Sequence, residues 1–408
     1  MLSSVPRLAK VAAAVSAGLA SLALAGPALA APRAVSTQSA AGNAAAFQVR
    51  VVINGAKLWH SYRPAGSAKW KKEHLTSPDD ITVLGHHLFT AFQNGVGPQG
   101  QPSADGNDDS TVVEFTPRGQ VIRQWDLRGK CDGITADTQL GILIATIDED
   151  ANSSVYTITP GAPRGAQVVH YRYNRDPLPH NGGTDAISVY RGRILVSASA
   201  PGTAGTAAPQ PTYPAVYSVT FSPVRRVATV RPLFYDEALA RAANVGSASQ
   251  GTPVRLALTD PDSNEIVPAS GPRFAGDFML TSQGDKEQIF VLRKGRLGSH
   301  LAVLQLSQSV DDTAWARSAA GRLYAASTAD GTVDVVSGPF RPGTVLVAVT
   351  PCDADNAPAT CPAPGFPPNY LGQLNPWTGL ITRVPVRGAD LGPQGMVFVA
   401  PGWNVTPG

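Results

Sequence analysis

The sequence predicts an all-β protein of the propeller class, and three observations carry that expectation. A short phrase recurs four times, as Asp79-Asp80-Ile81-Thr82, Asp132-Gly133-Ile134-Thr135, Asp185-Ala186-Ile187-Ser188 and Asp311-Asp312-Thr313-Ala314. Its first three copies are evenly spaced, 53 residues apart, a little more than a four-stranded blade needs. The apolar runs that follow each copy are short, rich in Val, Ile, Tyr and Thr, and separated by Gly, Pro and Asp clusters at intervals of about 8–12 residues.

The elements follow in order. Arg7 and Lys10 precede an apolar stretch over 11–25, then Gly26-Pro27 and the small-residue pattern Ala28-Leu29-Ala30. This is the form of a secretory signal peptide over 1–30, cleaved near Ala30, with an apolar core too short for a membrane anchor. Residues 31–46 read as a flexible segment, 47–401 as one propeller domain and 402–408 as a tail. The mature protein is therefore expected outside the cytoplasm, secreted or periplasmic, as a monomer without membrane insertion.

Within the domain, each Asp phrase opens an inner strand. Runs 88–92 and 111–115 follow the Asp79 copy, 141–146 and 154–158 the Asp132 copy, 192–197 and 215–219 the Asp185 copy, and 321–326 and 332–336 the Asp311 copy. A weaker start lies at Asp260-Pro261-Asp262, followed by 278–281 and 288–291. A last start, Gln394-Gly395-Met396, has no chain left to complete its blade, so N-terminal strands around 47–53, 58–62 and 70–74 are expected to do so. Six blades result. Seven stay open, because the gap from Asp311 to Gln394 is long for one blade and contains an irregular stretch over 351–369.

Composition agrees with a turn-rich, well-cored globular chain: 40 Gly and 35 Pro in 408 residues, 43% hydrophobic and 15% charged. The formal charge of +3, about +1 without Arg7 and Lys10, excludes a general nucleic-acid or anionic-membrane surface. Lys69-Trp70-Lys71-Lys72 reads as a solvated face with a packed Trp. In an oxidising compartment Cys352 and Cys361 are expected to pair across a Pro-rich loop, leaving Cys131 free and buried. A nucleophilic Cys131 is the sharper alternative, but the sequence fixes no histidine beside it.

The Asp-x-Ile starts, the Gly-Arg-Leu-Tyr type second strands and the Ser-Val-Tyr type third strands resemble the six-bladed superfamily of NHL-repeat and gluconolactonase-like propellers. Segments such as Asp148-Glu149-Asp150, His180-Asn181-Gly182-Gly183-Thr184-Asp185 and Asn369-Tyr370-Leu371-Gly372 look like a secreted bacterial branch of it. The resemblance implies architecture over the mature chain. The lactonases hold a divalent cation through a Glu, an Asn and an Asp at the channel mouth, and those positions have no residue-by-residue match here, so lactonase activity does not carry over.

In a propeller the starts of inner strands and the tips between second and third strands share one face. That face would gather Asp79, Asp132, Asp185, Asp262 and Asp311 at the channel mouth as candidate metal ligands, with Asn94, Glu149, Asp150 and Asn181 as candidate ligand-binding residues. Hard oxygen donors of this kind suit Ca2+ or another divalent cation. An aspartate at a strand start also commonly accepts hydrogen bonds from its own turn, so a structural role stands beside the functional one. Five converging carboxylates would repel one another unless protonated, hydrated or bridged by a cation. His180 is a candidate base with Asp132 and Asp185, or else a loop histidine; His86-His87 belongs to the opposite face. No Gly-rich phosphate loop, His-Glu-x-x-His, Cys-x-x-Cys or Gly-x-Ser-x-Gly motif is present. Three readings remain: a binding or scaffold propeller taking a small molecule or protein on its loop-rich face, a metal-dependent hydrolase or lactonase, and a lyase with His180 as base. Whether the chain is an enzyme is left open by the sequence.

Overall fold

Runs such as ILIATI over Ile142–Ile147 and VLVAV over Val345–Val349 are β-branched and apolar on both alternating faces, so each must form a strand covered on two sides. The computed structural model describes residues 47–64, 66–175, 182–199, 213–293, 300–352 and 359–402, and their regular elements are strands apart from one 3-10 turn. The expected signal peptide and the segment over 31–46 lie outside the described residues.

The chain opens with β1 (Phe47–Asn54) and a separate hairpin of β2 (Trp59–Tyr62) and β3 (Lys71–His74). Blade one is a meander of β4 (Pro78–Leu84), β5 (His87–Phe92), β6 (Asp109–Phe115) and β7 (Val121–Arg128), from the axis outwards. Blade two repeats it with β8 (Cys131–Asp137), β9 (Ile142–Ile147), β10 (Ser154–Ile158) and β11 (Val168–Tyr173). Blade three follows with β12 (Ile187–Tyr190), β13 (Arg193–Ser197), β14 (Pro214–Ser222) and β15 (Val227–Tyr235). The outer strands β11 and β15 pair in parallel and tie these two blades together. Next, β16 (Leu239–Ala242) and β17 (Pro253–Arg255) extend the outer edge of blade four, which consists of β18 (Pro261–Ile266), β19 (Phe278–Ser282), β20 (Glu287–Val291) and β21 (Leu301–Gln305).

The last two blades are interlaced. β22 (Val310–Trp315) is the inner strand of blade five, but the chain then runs into β23 (Arg322–Ser327) and β24 (Thr332–Ser337), which belong to blade six. It returns to blade five for β25 (Val345–Val349), β26 (Tyr370–Leu374) and β27 (Ile381–Arg383). Blade six closes with β28 (Val386–Gly388) and the inner strand β29 (Met396–Val399), in the order β29-β23-β24-β1-β28.

Two expectations are corrected by this arrangement. The runs 321–326 and 332–336 do not complete the Asp311 blade, because the fully apolar β25 takes the edge of β22. Gly321 lets β23 lie against β29 instead: a Cβ there would sit 2.3 Å from the Phe398 ring. Of the N-terminal strands, only β1 enters the closing blade; β2 and β3 pair with each other alone. The long gap from Asp311 to Gln394 thus holds strands of two blades.

Neighbouring inner strands pack in one closed cycle, β4, β8, β12, β18, β22, β29 and back to β4, so the described strands form six blades. The fold is a β-propeller. Its hydrophobic core is divided into six clusters, one at each blade interface. Leu143, Ala145 and Ile158 meet Phe89 and Val112 between blades one and two, and Tyr324, Val333 and Val335 meet Leu88, Phe92 and Val113 where blade six closes on blade one.

Tyr324 tests that closure. It is 1% exposed, and its hydroxyl donates to the Pro117 carbonyl of blade one at 3.1 Å. Truncation of a buried aromatic costs about 3–5 kcal/mol, whereas loss of one hydrogen bond costs about 1 kcal/mol. Urea denaturation is expected to show a large loss for Tyr324→Ala and a small one for Tyr324→Phe.

Candidate functional site

The recurring Asp phrase coincides with an irregularity in the ladder. Pairing skips between Pro78 and Ile81, Cys131 and Ile134, Pro261 and Asn264, and Val310 and Thr313, each time at the start of an inner strand. Such bulges re-aim side chains. They fall at Asp79, Asp132, Asp262 and Asp311, whereas β12 pairs without a shift, and these four acids together with Asp185 all line one pocket at the channel mouth. The sixth blade contributes Gln394 in the same place.

Four of the five acids are fixed through their backbone carbonyls. The Asp185 carbonyl accepts from the Thr146 hydroxyl of the preceding blade at 2.6 Å, and the Asp262 carbonyl from the Ser197 hydroxyl at 2.7 Å. The Asp311 carbonyl accepts from the Ser263 hydroxyl, and Gly395 N–H donates to the Asp79 carbonyl at 2.9 Å. Close approach of the next blade explains two small residues in the repeat. A Cβ on Gly133 would lie 2.8 Å from the Asp185 carbonyl oxygen, and one on Gly395 would lie 2.5 Å from that of Asp79.

The structural role expected of a strand-start aspartate falls to the second residue of two copies. Asp80 accepts from Ile81 N–H at 2.6 Å and, across the blade boundary, from Ile134 N–H at 2.7 Å. Asp312 does the same for Thr313 N–H and Met396 N–H. By contrast, the carboxylates of Asp79, Asp185 and Asp262 accept no hydrogen bond among the described residues, although Asp185 is only 8% exposed. Asp132 accepts at Oδ1 from Gln93 at 3.0 Å, while its buried Oδ2 has no partner among the described residues.

Sequence reasoning missed Lys130. Its ammonium lies 3.0 Å from Asp132 Oδ1 and donates to Glu149 Oε1, inside the mouth. Burial alone would lower its pKa, but Asp132, Glu149 and Asp79 outweigh that and raise it, so it stays charged. A signal was present in the repeat, since the residue two places before the ring acid reaches the mouth in two blades. That position is Lys130 in blade two and Asp260 in blade four, and both line the pocket.

One ammonium does not neutralise the mouth. Burial, then repulsion from Glu149, pushes Asp132 up to about 8 against the pull of Lys130. Burial also raises Asp79, with Asp132 and Asp311 adding to it; Asp185, with Glu149 and Asp132; and Asp262, with Asp311 and Asp185.

Among the other candidates, Glu149 lines the mouth. Asn94 is engaged by the fold: it caps Thr76 N–H and donates to the Asp109 carbonyl and Thr111 hydroxyl. Asp150 is not among the mouth-lining residues; its N–H bonds the Pro98 carbonyl. His180 and Asn181 lie outside the described residues. His87 pairs with Glu114, whose second oxygen meets Arg123. Cys352 and Cys361 are joined by a disulfide. Cys131 is free and fully buried, and burial, followed by the charge of Asp132, pushes its thiol well above the ordinary range, which disfavours a nucleophilic thiolate. Among the described residues no three His, Cys, Asp or Glu side chains are grouped to hold one metal ion, so the directly chelated cation implied by the lactonase resemblance does not fit the side-chain positions.

No protein-family model and no curated protein matches this sequence. Solved structures do. A periplasmic gluconolactonase of Pseudomonas aeruginosa is 13% identical over 87% of this chain and 99% of its own, with a TM-score of 0.41. A virginiamycin B lyase from Staphylococcus aureus is 10% identical over 86% and 96%, with a TM-score of 0.41. A streptogramin B lyase is 10% identical over 85% and 92%, with a TM-score of 0.40. The likeness is one of fold.

The raised acids set a direction for stability. Asp132 has an ordinary value of 3.8 and titrates in the folded protein at about 8, so the native state holds a proton that the unfolded chain releases. Its contribution is present in full below about pH 4 and is lost as pH rises through about 8. Urea midpoints between pH 5 and 9 are expected to fall with rising pH, and Asp132→Asn is expected to flatten that slope.

Proposed function

We propose that this chain is a secreted propeller-type binding protein whose channel mouth takes a cation. The observation that carries the reading is the unpartnered carboxylate: Asp185, more than nine-tenths buried, and Asp132 Oδ2 are both without hydrogen bonds among the described residues in a mouth where seven acids surround one ammonium. Burying such groups costs free energy unless something meets them. Lys130 supplies one such partner from within the chain, and the remaining acids leave room for a second positive charge. The signal-peptide form of residues 1–30 supports export.

A metal-dependent hydrolase of the lactonase type is the second reading. It is favoured by the hard-oxygen character of the donors, carboxylates together with the amides of Gln283 and Gln394. No catalytic step is derived for it, because the side chains do not group around one ion.

Calorimetric titration with calcium, magnesium and butylamine separates these readings. Saturable binding of one cation per chain, weakened at least about tenfold by Asp185→Asn, supports the cation-binding mouth. Calcium or magnesium binding whose rise in melting temperature is reversed by a chelator directs the work to a lactone and ester screen. No binding of any of the three at millimolar concentration overturns the proposal.

A further inference from the structure

The channel enclosed by the six inner strands contains a cavity of about 330 Å3, within the range of small-molecule pockets, about 300–1,000 Å3. The ring acids Asp79, Asp132, Asp185, Asp262 and Asp311 form its end at the mouth, and below them its walls change character. There Ile134, Ile187, Trp315 and Phe398 give it apolar sides, and beside Asp80 and Asp312 stand Glu265 and Arg317. Glu265 lies three residues beyond Asp262 on β18, about 10 Å down the channel at the rise of a strand. Arg317 lies six residues beyond Asp311, just past the end of β22, about 20 Å from the ring and at the opposite end of the inner strands.

Neither side chain has a hydrogen bond or ion pair among the described residues. Both neighbouring acids, Asp80 and Asp312, are by contrast fully engaged with backbone N–H groups of the ring. Glu265 is therefore the acid at this depth whose oxygens remain for a ligand, and Arg317 is the cation lining the same cavity. Burial raises the Glu265 carboxyl, Asp312 and Asp80 raise it further, and Arg317 lowers it.

We propose that the part of this channel cavity below the ring acids is a second binding site, for a small zwitterion of about dipeptide size, with its ammonium at Glu265, its carboxylate at Arg317 and its apolar body between Ile134, Ile187, Trp315 and Phe398. An α-amino acid is shorter than the staggered placement of the two charges, whereas a dipeptide separates them by a peptide unit. A planar guanidinium is suited to bidentate recognition of a carboxylate.

The purified chain is titrated calorimetrically with alanyl-leucine, its N-acetyl form and its C-terminal amide. The zwitterion is expected to bind saturably, and removal of either charge is expected to weaken binding at least about tenfold, the worth of a charge-assisted hydrogen bond. Glu265→Gln should weaken the zwitterion and the amide but not the N-acetyl form. Arg317→Gln, at an exposed position that leaves the core intact, should do the reverse. Glu149→Gln, which removes a mouth acid that does not line the cavity, should change neither, so failure of the cation-binding mouth and failure of this site give different results. Absence of saturable binding, or binding unmoved by both channel variants, overturns the proposal.

Discussion

Like charges held together at the mouth of a closed ring are the constraint on which the rest of this structure turns. Ring closure places the start of every inner strand on one face, and at four of those starts a bulge accompanies the residue that reaches the mouth. Five of the six copies carry Asp at that place. The resulting repulsion is relieved by two means at once, a buried lysine and carboxyls that hold their protons toward neutral pH, while one oxygen of Asp132 is left without a partner among the described residues. Each of these is a statement about charge rather than about a particular chemical motif.

The surrounding fold supplies the rigidity that makes such crowding tolerable. Six hydrophobic clusters lie between blades, so no blade is stable without its neighbours. Hydroxyl-to-carbonyl bonds from Thr146, Ser197 and Ser263 lock the ring acids to the blade before them. The closing region is fastened by exchange of strands. The hairpin β23–β24 leaves blade five for blade six, while the chain's first and last strands flank it there. Opening that blade requires unpairing three separate stretches of chain.

Much of this was legible in the sequence, and the limits have physical causes. The period of the Asp phrase exposed the inner strands, and the face rule for a propeller correctly gathered their first residues at one mouth. Strand order in the last two blades was not legible, because a β-run carries no mark of which neighbour it pairs with, and Arg322–Ser327 is as well patterned for blade five as for blade six. Gly321 was the one clue, and its meaning depends on the Phe398 ring lying against it. Lys130 was hidden for a different reason. A single lysine in a loop is ordinarily a surface residue, and only alignment of the repeat shows that it occupies the position of Asp260. The distinction between Asp79 and Asp80, one facing the mouth and the other holding the backbone of the next blade, depends on a bulge that periodicity cannot register.

Lys130 acts as the internal counter-ion of this overcharged mouth, and the substitution Lys130→Met tests that role most directly through thermal melts from pH 5 to 9. The variant is expected to melt close to the parent at pH 5, where Asp132 holds its proton, and to fall progressively below it as pH rises, with calcium or butylamine restoring part of the loss. A variant that melts like the parent at every pH, with or without added cation, would contradict it.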